Sequence, residues 1–433
     1  MKLFGSSGIR ALFNKELLST AFRVGLAVGE KYPNVVIGRD TRTSGDAMKH
    51  ALTSGLLAAG ASCQDAGIIP TPTLAYATRE FDAGVMITAS HNPPEYNGIK
   101  LFNPDGSSFG GYQQEQIEAM VRAESYGVTE QDKTVQSGNY NGAVANHIDA
   151  IASFFPSPLN IKVVVDAGGG AASEITLRLL EKLGCEVVAL NCEPTGEFPR
   201  PSEPVAANLT ELCSLVKKSG AAVGIAHDGD ADRMMAVDEK GRYITGDVML
   251  ATLARAVGAR DMVTTLDASM AIDEMGLKIR RTKIGDTFVS EELKKGGDFG
   301  GETSGAWIFP ALSLCPDGIF AAAQIAALAT EHKLSELADA VPVYPLFRGN
   351  ISSKGLEMAR LKADLAALKP LSVSDMDGVK LVFSDGWLLV RPSGTEPKIR
   401  ITAEAKTEAR ARELYDSCLD IIKKHINIGV EAN

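Results

Sequence analysis

Short apolar runs alternate with stretches of helical spacing through about the first 345 residues, and this alternation restricts the fold more than any other feature. The runs at 35–37 and 163–165 are examples, and each is typical of a buried strand; a further strand is expected at 263–266. Parallel strands need a long crossover between them, and that crossover is usually a helix. The alternation therefore predicts mixed α/β domains with largely parallel sheets.

A change of pattern near Pro345 predicts a last domain of another kind. Strands expected at 379–383, 387–390 and 399–403 follow one another without helical crossovers, and a terminal helix is expected at about 407–424. Consecutive strands of this kind form antiparallel sheets, so this part is predicted to be an α+β module.

The length of 433 residues is enough for several domains. A polar stretch at 130–141, with glycine and serine, is predicted to link the first domain to the second. We expect three similar α/β domains and then the α+β module. The predicted boundaries are 1–145, 146–245, 246–345 and 346–433.

Composition excludes some classes of protein. A net charge of −10 and a hydrophobic content of 45% indicate a globular protein and argue against a general nucleic-acid binder. A cleft can still be locally basic, so small anionic ligands are allowed. No run of about 18 apolar residues occurs, so we expect a cytoplasmic protein without membrane association. The six cysteines form no Cys-x-x-Cys pair, and we expect them to be free thiols.

The string 88–100 is the leading candidate for a catalytic centre, and it follows a predicted buried strand. Two prolines stop any ladder or helix, so Ser90 is expected where a rigid strand gives way to a stiff loop. His91 lies beside it, and Lys100 comes after an expected turn at Asn97 and Gly98. Together these residues have the parts of an activated nucleophile. The Ser–His pair alone would also fit an ordinary polar loop.

Three aspartates at alternate positions, Asp228, Asp230 and Asp232, lie between two predicted strands. Alternate residues of an extended chain face one way, so the three carboxylates are expected to converge. A hard divalent cation would relieve their repulsion. A calcium EF-hand is a weaker interpretation, because Arg233 stands where that loop needs glycine and the flanks are predicted strands. A solvated acidic turn is the structural alternative.

Two further loops offer side chains that can bind ligands. Glu302 and Ser304, in a glycine-rich turn, can bind sugar hydroxyls, although an ordinary turn would contain the same residues. Arg391 can give two charge-assisted hydrogen bonds to a phosphate, and the loop after it can enclose phosphate oxygens with hydroxyl and backbone N–H groups. The loop residues expected to do so are Ser393, Gly394 and Thr395. A proline-stiffened hairpin turn is the alternative.

These four loops resemble, in the same order and over nearly the whole chain, those of the α-D-phosphohexomutase family. The string 88–100 is similar to the family's phosphoserine loop, and 228–233 matches its metal loop residue for residue. The segment 301–305 is similar to the sugar-selecting loop, and 391–395 to the distal phosphate loop. The resemblance implies four domains around a central cleft and an isomerase that moves a phosphoryl group between the 1- and 6-positions of a hexose.

The resemblance also implies roles for the candidate residues. Ser90 would carry the phosphoryl group, and one Mg²⁺ per chain would bind Ser90 together with the three aspartates. Arg10, near the start of the chain, would contact the transferring group. Lys100, assisted by His91, is our candidate general base for the attacking sugar hydroxyl, and that task requires a lowered pKa.

The implied substrate is a hexose monophosphate. Its ring hydroxyls are expected on Glu302 and Ser304. Its phosphate is expected on Arg233, Arg391, Ser393, Gly394 and Thr395. The product of the first step would be a hexose 1,6-bisphosphate, which turns over in the cleft and returns its other phosphate to Ser90.

The sequence defines the sugar less well than the chemistry. The stretch 281–286 resembles that of phosphoglucosamine mutases more than that of the phosphomannomutase/phosphoglucomutase branch. Glucosamine 6-phosphate is therefore the expected substrate, with the other branch as the alternative. Ala306 stands where many bacterial relatives have histidine, which leaves the contact made by that histidine open.

Two other classes of function are open on the sequence. A metal-dependent phosphatase would use Asp228 or Asp230 as nucleophile, but neither residue begins the Asp-x-Asp-x-Thr/Val string that such enzymes need. A non-catalytic sugar-phosphate sensor would have no need of Ser90 and the aspartates. The sequence does not distinguish a monomer from a homodimer.

Overall fold

Four β-sheets and their connecting helices make up this computed structural model, which describes residues 3–5, 7–130, 135–352, 357–392 and 398–431. In chain order the strands are β1 (Ile9–Leu12), β2 (Asn34–Arg39), β3 (Ser62–Ile68), β4 (Ala83–Ile87), β5 (Tyr96–Phe102), β6 (Ser137–Asn139), β7 (Lys162–Asp166), β8 (Glu186–Leu190), β9 (Val223–His227), β10 (Met234–Asp238), β11 (Asp261–Thr265), β12 (Lys278–Thr282), β13 (Phe299–Gly301), β14 (Trp307–Ile308), β15 (Leu346–Ser352), β16 (Ser372–Ser374), β17 (Val379–Phe383), β18 (Gly386–Pro392) and β19 (Lys398–Ala405). The α-helices are α1 (Lys15–Lys31), α2 (Gly45–Ala58), α3 (Thr71–Ala77), α4 (Gly111–Ala123), α5 (Ala143–Ala152), α6 (Ala172–Lys182), α7 (Thr210–Ser219), α8 (Gly246–Ala256), α9 (Asp286–Leu293), α10 (Gly318–Glu331), α11 (Leu334–Asp339), α12 (Met358–Ala366) and α13 (Glu408–Glu431).

The first sheet has the strand order β1–β5–β4–β2–β3–β6. Strands β4, β2, β3 and β6 are parallel neighbours, whereas β5 and β1 run antiparallel at one side. Every residue of β4 is buried, as expected for a central strand with helices on both faces. The prediction of a largely parallel sheet is confirmed here.

The expected turn at Asn97 and Gly98 is wrong, because both residues lie inside β5. Gly98 faces Arg10 in the ladder between β5 and β1. A Cβ atom on Gly98 would lie 2.1 Å from the carbonyl oxygen of Ile9 and 2.7 Å from that of Thr88. Glycine is therefore needed for close strand approach and not for a turn.

The stretch 130–141 is more than the link that was predicted. Residues Ser137–Asn139 form β6, which pairs in parallel with β3 as the last strand of the first sheet. A short polar strand at a sheet edge lacks the apolar run that identifies buried strands, so the sequence pattern gave no indication of it.

The second and third sheets also carry their loops of interest between antiparallel strands. The second has the order β10–β9–β7–β8, with β9, β7 and β8 parallel and β10 antiparallel to β9. The third has the order β12–β11–β13–β14, and its strands β13 and β14 are antiparallel. The acidic loop, defined as residues 228–233, connects β9 to β10. The sugar loop, defined as residues 302–306, connects β13 to β14.

The fourth sheet is antiparallel throughout, with the order β15–β19–β18–β17–β16. The predicted α+β character of this part is therefore confirmed. Strand β15 was not predicted, because its sequence has no run of more than two apolar residues, and none of its seven residues is buried. Helices α12 and α13 supply the apolar side chains that cover the buried positions of β17, β18 and β19.

The described chain divides into two compact units. The first comprises Met1–Val263 and Gly285–Ala340, and the second comprises Thr264–Ile284 and Val341–Asn433. Within the second unit, Glu404 Oε2 accepts hydrogen bonds from Met270 N at 2.7 Å and from Trp387 Nε1 at 2.6 Å. Among the described residues, no helix combines the length and apolar character that crossing a bilayer requires.

Candidate active site

Ser90 lies in the loop that follows β4, and its hydroxyl points at the acidic loop. Its side chain is buried, and Oγ donates a hydrogen bond to Asp228 Oδ2 at 2.8 Å. The backbone has a φ of 51°, in the left-handed region that costs an ordinary residue about 1 kcal/mol. A hydrogen bond from Ser90 N to Thr88 Oγ1, at 2.8 Å, helps to hold this conformation.

Arg42 holds the serine loop, which is defined as residues 88–96, through buried contacts with its backbone. The guanidinium is fully buried and forms an ion pair with Asp40, with Nε at 3.0 Å from Oδ2. Its two terminal nitrogens donate to four carbonyl oxygens of the loop: those of Ser90 (2.8 Å), Asn92 (2.7 Å), Pro93 (2.6 Å) and Tyr96 (2.8 Å). Asp40 also accepts from Thr88 Oγ1 at 2.6 Å, so the pair fixes both ends of the turn.

This role of Arg42, in the turn that follows β2, was not predicted from the sequence. The available indication was topological. Because β2 and β4 are parallel neighbours, the residues that follow them meet at the same edge of the sheet.

The Arg42→Lys variant is expected to lose about 3 kcal/mol of unfolding free energy and about 10²-fold in kcat. Lysine keeps the charge but cannot give the forked hydrogen bonds to four carbonyl oxygens, which would be left buried without donors. Chemical denaturation and steady-state kinetics measure the two effects. Arg39→Lys is the matched control on the same turn, because Arg39 pairs with the exposed Asp46 and makes no contact with the loop carbonyls. Equal losses in the two variants would contradict the role given to Arg42.

The acidic loop brings its three carboxylates together, but not in the way that was predicted. The loop is a turn and not an extended chain, and Ala231 within it has a left-handed φ of 58°. Oxygens of Asp228, Asp230 and Asp232 nevertheless all lie within 4.8 Å of one another, and all three residues are buried. Burial and the charges of Asp232 and Asp230 raise the pKa of Asp228 well above its usual value.

The donor set of the cluster fits a hard divalent cation. Asp230 Oδ1 and Asp232 Oδ1 are buried and accept no hydrogen bond from the described residues. An ionised oxygen buried without a partner is costly, whereas a cation with oxygen ligands would satisfy both atoms at once. Oxygen-only ligands favour magnesium, calcium or manganese over softer metals.

Lys100 lies between two of these aspartates, with Nζ at 2.6 Å from both Asp230 Oδ2 and Asp232 Oδ2. Burial alone would lower the pKa of Lys100, but the charges of Asp230 and Asp232 outweigh burial and raise it. The direction is opposite to the lowered pKa that was expected for a general base. Thr71, a residue that was not predicted to be part of the site, adds a further hydrogen bond to Asp230 Oδ2.

Basic residues lie near the serine loop and the acidic loop. Arg10 Nη1 donates to Asn92 Oδ1 at 3.3 Å, and the backbone N–H of Arg233 donates to Asp228 Oδ1 at 3.2 Å. His91 Nδ1 lies 3.4 Å from Ser90 Oγ. Burial, with the charges of Arg233 and Arg10, lowers the pKa of His91 to about 3, so this imidazole is neutral at pH 7.

The sugar loop lies directly beside the acidic loop, because Met234 N donates to the carbonyl oxygen of Gly305 at 3.0 Å. Glu302 Oε1 accepts from Gly285 N at 2.8 Å, and Ser304 is exposed. The side chain of Ala306 is buried.

The start of the chain also reaches this region. Ser7 Oγ donates to Asp286 Oδ1 at 2.7 Å, at the N-terminus of α9. Neither residue was singled out from the sequence.

The predicted phosphate loop is described only in part. Arg391, near the end of β18, has Nε at 2.8 Å from Asp377 Oδ2. Ser393, Gly394 and Thr395 lie outside the described residues.

The fold and the site together define a multidomain α/β enzyme in which a buried serine hydroxyl faces an aspartate cluster. Sequence models of the phosphoglucomutase/phosphomannomutase family match almost the whole chain: α/β/α domain I at residues 1–127, domain II at 140–241, domain III at 245–344 and the C-terminal domain at 352–421. The chain therefore belongs to this family, the α-D-phosphohexomutases, and is an isomerase of the phosphohexomutase class.

Full-length relatives agree with this assignment. The chain is 47% identical to "Probable phosphoglucosamine mutase" of Methanococcoides burtonii, over 99% of this chain and 100% of that protein. It is 39% identical to "Phosphoglucosamine mutase" of Methanococcus maripaludis, again over 99% and 100%. A crystal structure of a phosphoglucomutase/phosphomannomutase family protein from Burkholderia thailandensis has a TM-score of 0.86 and 28% identity, covering 98% of this chain and 97% of that one.

Proposed function

We propose that this phosphohexomutase is a phosphoglucosamine mutase, which interconverts glucosamine 6-phosphate and glucosamine 1-phosphate. The observation that carries the proposed chemistry is the contact between Ser90 Oγ and the buried aspartate cluster, at 2.8 Å from Asp228. The choice of sugar is supported by the full-length relatives that bear this name. Phosphomannomutase/phosphoglucomutase activity is the second candidate, supported by the family to which the Burkholderia structure belongs.

Ser90 is the proposed carrier of the phosphoryl group. In the forward direction, the 1-hydroxyl of glucosamine 6-phosphate attacks the phosphorus on phosphorylated Ser90. The bond from phosphorus to Ser90 Oγ breaks as the new bond to the sugar oxygen forms, which gives a hexose 1,6-bisphosphate. After the bisphosphate turns over, its 6-phosphate passes to Ser90 and glucosamine 1-phosphate leaves. Binding through the remote phosphate keeps the reacting groups close during the exchange.

Asp228, Asp230 and Asp232 are proposed to hold one Mg²⁺. When bound, the ion would neutralise charge that develops on the transferring phosphoryl group. Arg10 and Arg233 add permanent positive charge near His91, the neighbour of Ser90.

Lys100 is the proposed acceptor of the proton, and His91 is proposed to assist it. Lys100 accepts the proton of the sugar hydroxyl only in its neutral form, and the charges of Asp230 and Asp232 now oppose that form. Neutralising these two carboxylates would remove the cause of the raised pKa, leaving burial to lower it. His91 is already neutral and can accept a hydrogen bond at Nδ1.

The remaining proposed contacts hold the substrate. Glu302 and Ser304 bind ring hydroxyls, and Arg391 contributes to the phosphate site together with the predicted loop residues Ser393, Gly394 and Thr395. The phosphoryl carrier, the metal ligands, the ring contacts and the predicted phosphate loop thus fall in the four predicted domains, one in each.

The test compares kcat/KM for the 6-phosphates of glucosamine, glucose and mannose, with a hexose 1,6-bisphosphate present to phosphorylate the enzyme. We expect glucosamine 6-phosphate to be preferred at least about tenfold, the lower end of the discrimination that contacts in a binding pocket give. Preference for glucose or mannose would transfer the chain to the alternative branch. Release of inorganic phosphate without isomerisation would favour the phosphatase, and binding without phosphate exchange would favour the sensor.

A further inference from the structure

His147 lies at the centre of a buried chain of hydrogen bonds that is connected to the acidic loop. This residue lies on α5 and is 0% exposed. Its Nδ1 lies 2.9 Å from Thr73 Oγ1 on α3, and its Nε2 lies 3.0 Å from Asp317 Oδ2, just before α10. These three residues, Thr73, His147 and Asp317, are called the His147 network below.

Both ring nitrogens and every side-chain oxygen of the network have a hydrogen-bond partner. Asp317 Oδ1 accepts from the backbone N–H groups of Ile319 and Phe320 at 2.9 Å, so this carboxylate caps α10. Its Oδ2 accepts from His147 Nε2, and His147 Nδ1 is paired with the hydroxyl of Thr73. Such a fully paired network restricts the geometry of the elements that it joins.

His147 joins three family domains at one point. Thr73 lies in the segment that matches domain I, His147 in the segment of domain II and Asp317 in that of domain III. All three residues belong to the first compact unit.

Both ends of the network continue into the acidic loop. Thr71, two residues before Thr73, donates its backbone N–H to the carbonyl oxygen of Asp230 at 2.8 Å, and its hydroxyl to the Asp230 carboxylate. Gly318, next to Asp317, donates its N–H to the carbonyl oxygen of Ala231 at 3.2 Å. A Cβ atom on Gly318 would lie 2.7 Å from that oxygen, so the approach requires glycine. The loop is therefore held by the two elements that His147 connects.

We propose that His147 is a positioning residue for the metal-binding loop. By fixing α3 relative to the N-terminus of α10, it keeps Asp230 and Ala231 in the conformation in which the three carboxylates converge. The inference rests on the proposed metal site. It adds that tight metal binding requires the hydrogen bonds of the His147 network as well as the three carboxylates. Partners beyond the ligands themselves typically change metal affinity by about 10- to 100-fold.

The decisive variant is Thr73→Val, which removes one hydroxyl and keeps the shape of the side chain. We expect Mg²⁺ to bind about tenfold more weakly, as measured by titration calorimetry on the full chain at a temperature where the variant is folded. Thr73→Ser keeps the hydroxyl and should restore the affinity of the parent protein. Thr252→Val is the matched control, because Thr252 is also buried and its hydroxyl donates only to Val248 O within α8.

A structural role alone would lower the melting temperature without changing Mg²⁺ affinity. Affinity within about twofold of the parent protein in Thr73→Val would therefore overturn the proposal, as would an equal loss in Thr252→Val. His147→Phe should weaken Mg²⁺ binding at least as much as Thr73→Val. If the parent protein itself bound no Mg²⁺, the proposed metal site would fail first and this inference with it.

Discussion

The Ser90→Ala variant is expected to bind glucosamine 6-phosphate normally but to lose at least about 10⁴-fold in kcat, as other enzymes do when their nucleophile is removed. The hydroxyl of Ser90 contacts the aspartate cluster through Asp228. The neighbouring hydroxyl of Thr88 cannot replace it, because it already donates to Asp40 and accepts from Ser90 N. Phosphorylation from a labelled hexose bisphosphate should disappear together with turnover.

The matched control for this change is Ser107→Ala. Ser107 is a second buried serine of the same sheet region, and its hydroxyl donates to Asp105, away from the acidic loop. It should keep both turnover and label. Normal turnover by Ser90→Ala, or retention of the covalent label, would remove Ser90 from the mechanism.

The Asp228→Asn variant is expected to weaken Mg²⁺ binding by at least about 100-fold, beyond the usual effect of residues outside the ligand set. The same change should stabilise the metal-free protein by about 1–2 kcal/mol. Three buried carboxylates lie within 4.8 Å of one another, and Lys100 contacts two of them but not Asp228. The amide can still accept from Arg233 N and can donate to Ser90 Oγ, so one charge is removed at little cost in hydrogen bonds.

Asp238→Asn, at the end of strand β10, is the control. Its effect on the stability of the protein is expected to be opposite to that of Asp228→Asn. Asp238 is buried too, but its carboxylate pairs with Arg242 at 2.7 Å. Losing that charge should destabilise the protein and leave Mg²⁺ binding unchanged. Calorimetry and thermal unfolding in a chelator measure both properties. A lower melting temperature for metal-free Asp228→Asn would show that repulsion within the cluster is not the governing force.

The sequence allowed the candidate site to be predicted wherever the functional residues are close together in the chain. The position of Ser90 after a buried strand and the convergence of the three aspartates both follow from local patterns. Local patterns misled at Asn97 and Gly98, because pairing with β1 and β4 overrides the turn preference of these residues. They also gave the wrong conformation for the acidic loop, whose turn depends on Ala231 at a positive φ.

The supports of the site could not be predicted in the same way. Arg42 and Ser90 are 48 residues apart in the chain, and His147 and Asp317 are 170 apart. Their contacts depend on the order of strands in the sheet and on helix packing, which hydrophobic periodicity does not specify. A buried arginine or histidine in the sequence is indistinguishable from an exposed one until those neighbours are known.

The second compact unit is formed by two separate pieces of the chain, and this affects how the enzyme can be divided into fragments. Because Thr264–Ile284 belongs to it together with the chain from Val341 onward, a single cut between the third and fourth predicted domains would divide this compact unit. The fragment that begins there would keep Glu404 and Trp387 but lose the backbone N–H of Met270, and Lys380 would lose the carbonyl of Leu266. Deletion and domain-swap experiments would therefore have to transplant both pieces of chain, and a protease that nicked residues 264–284 would damage the C-terminal part without touching its sequence.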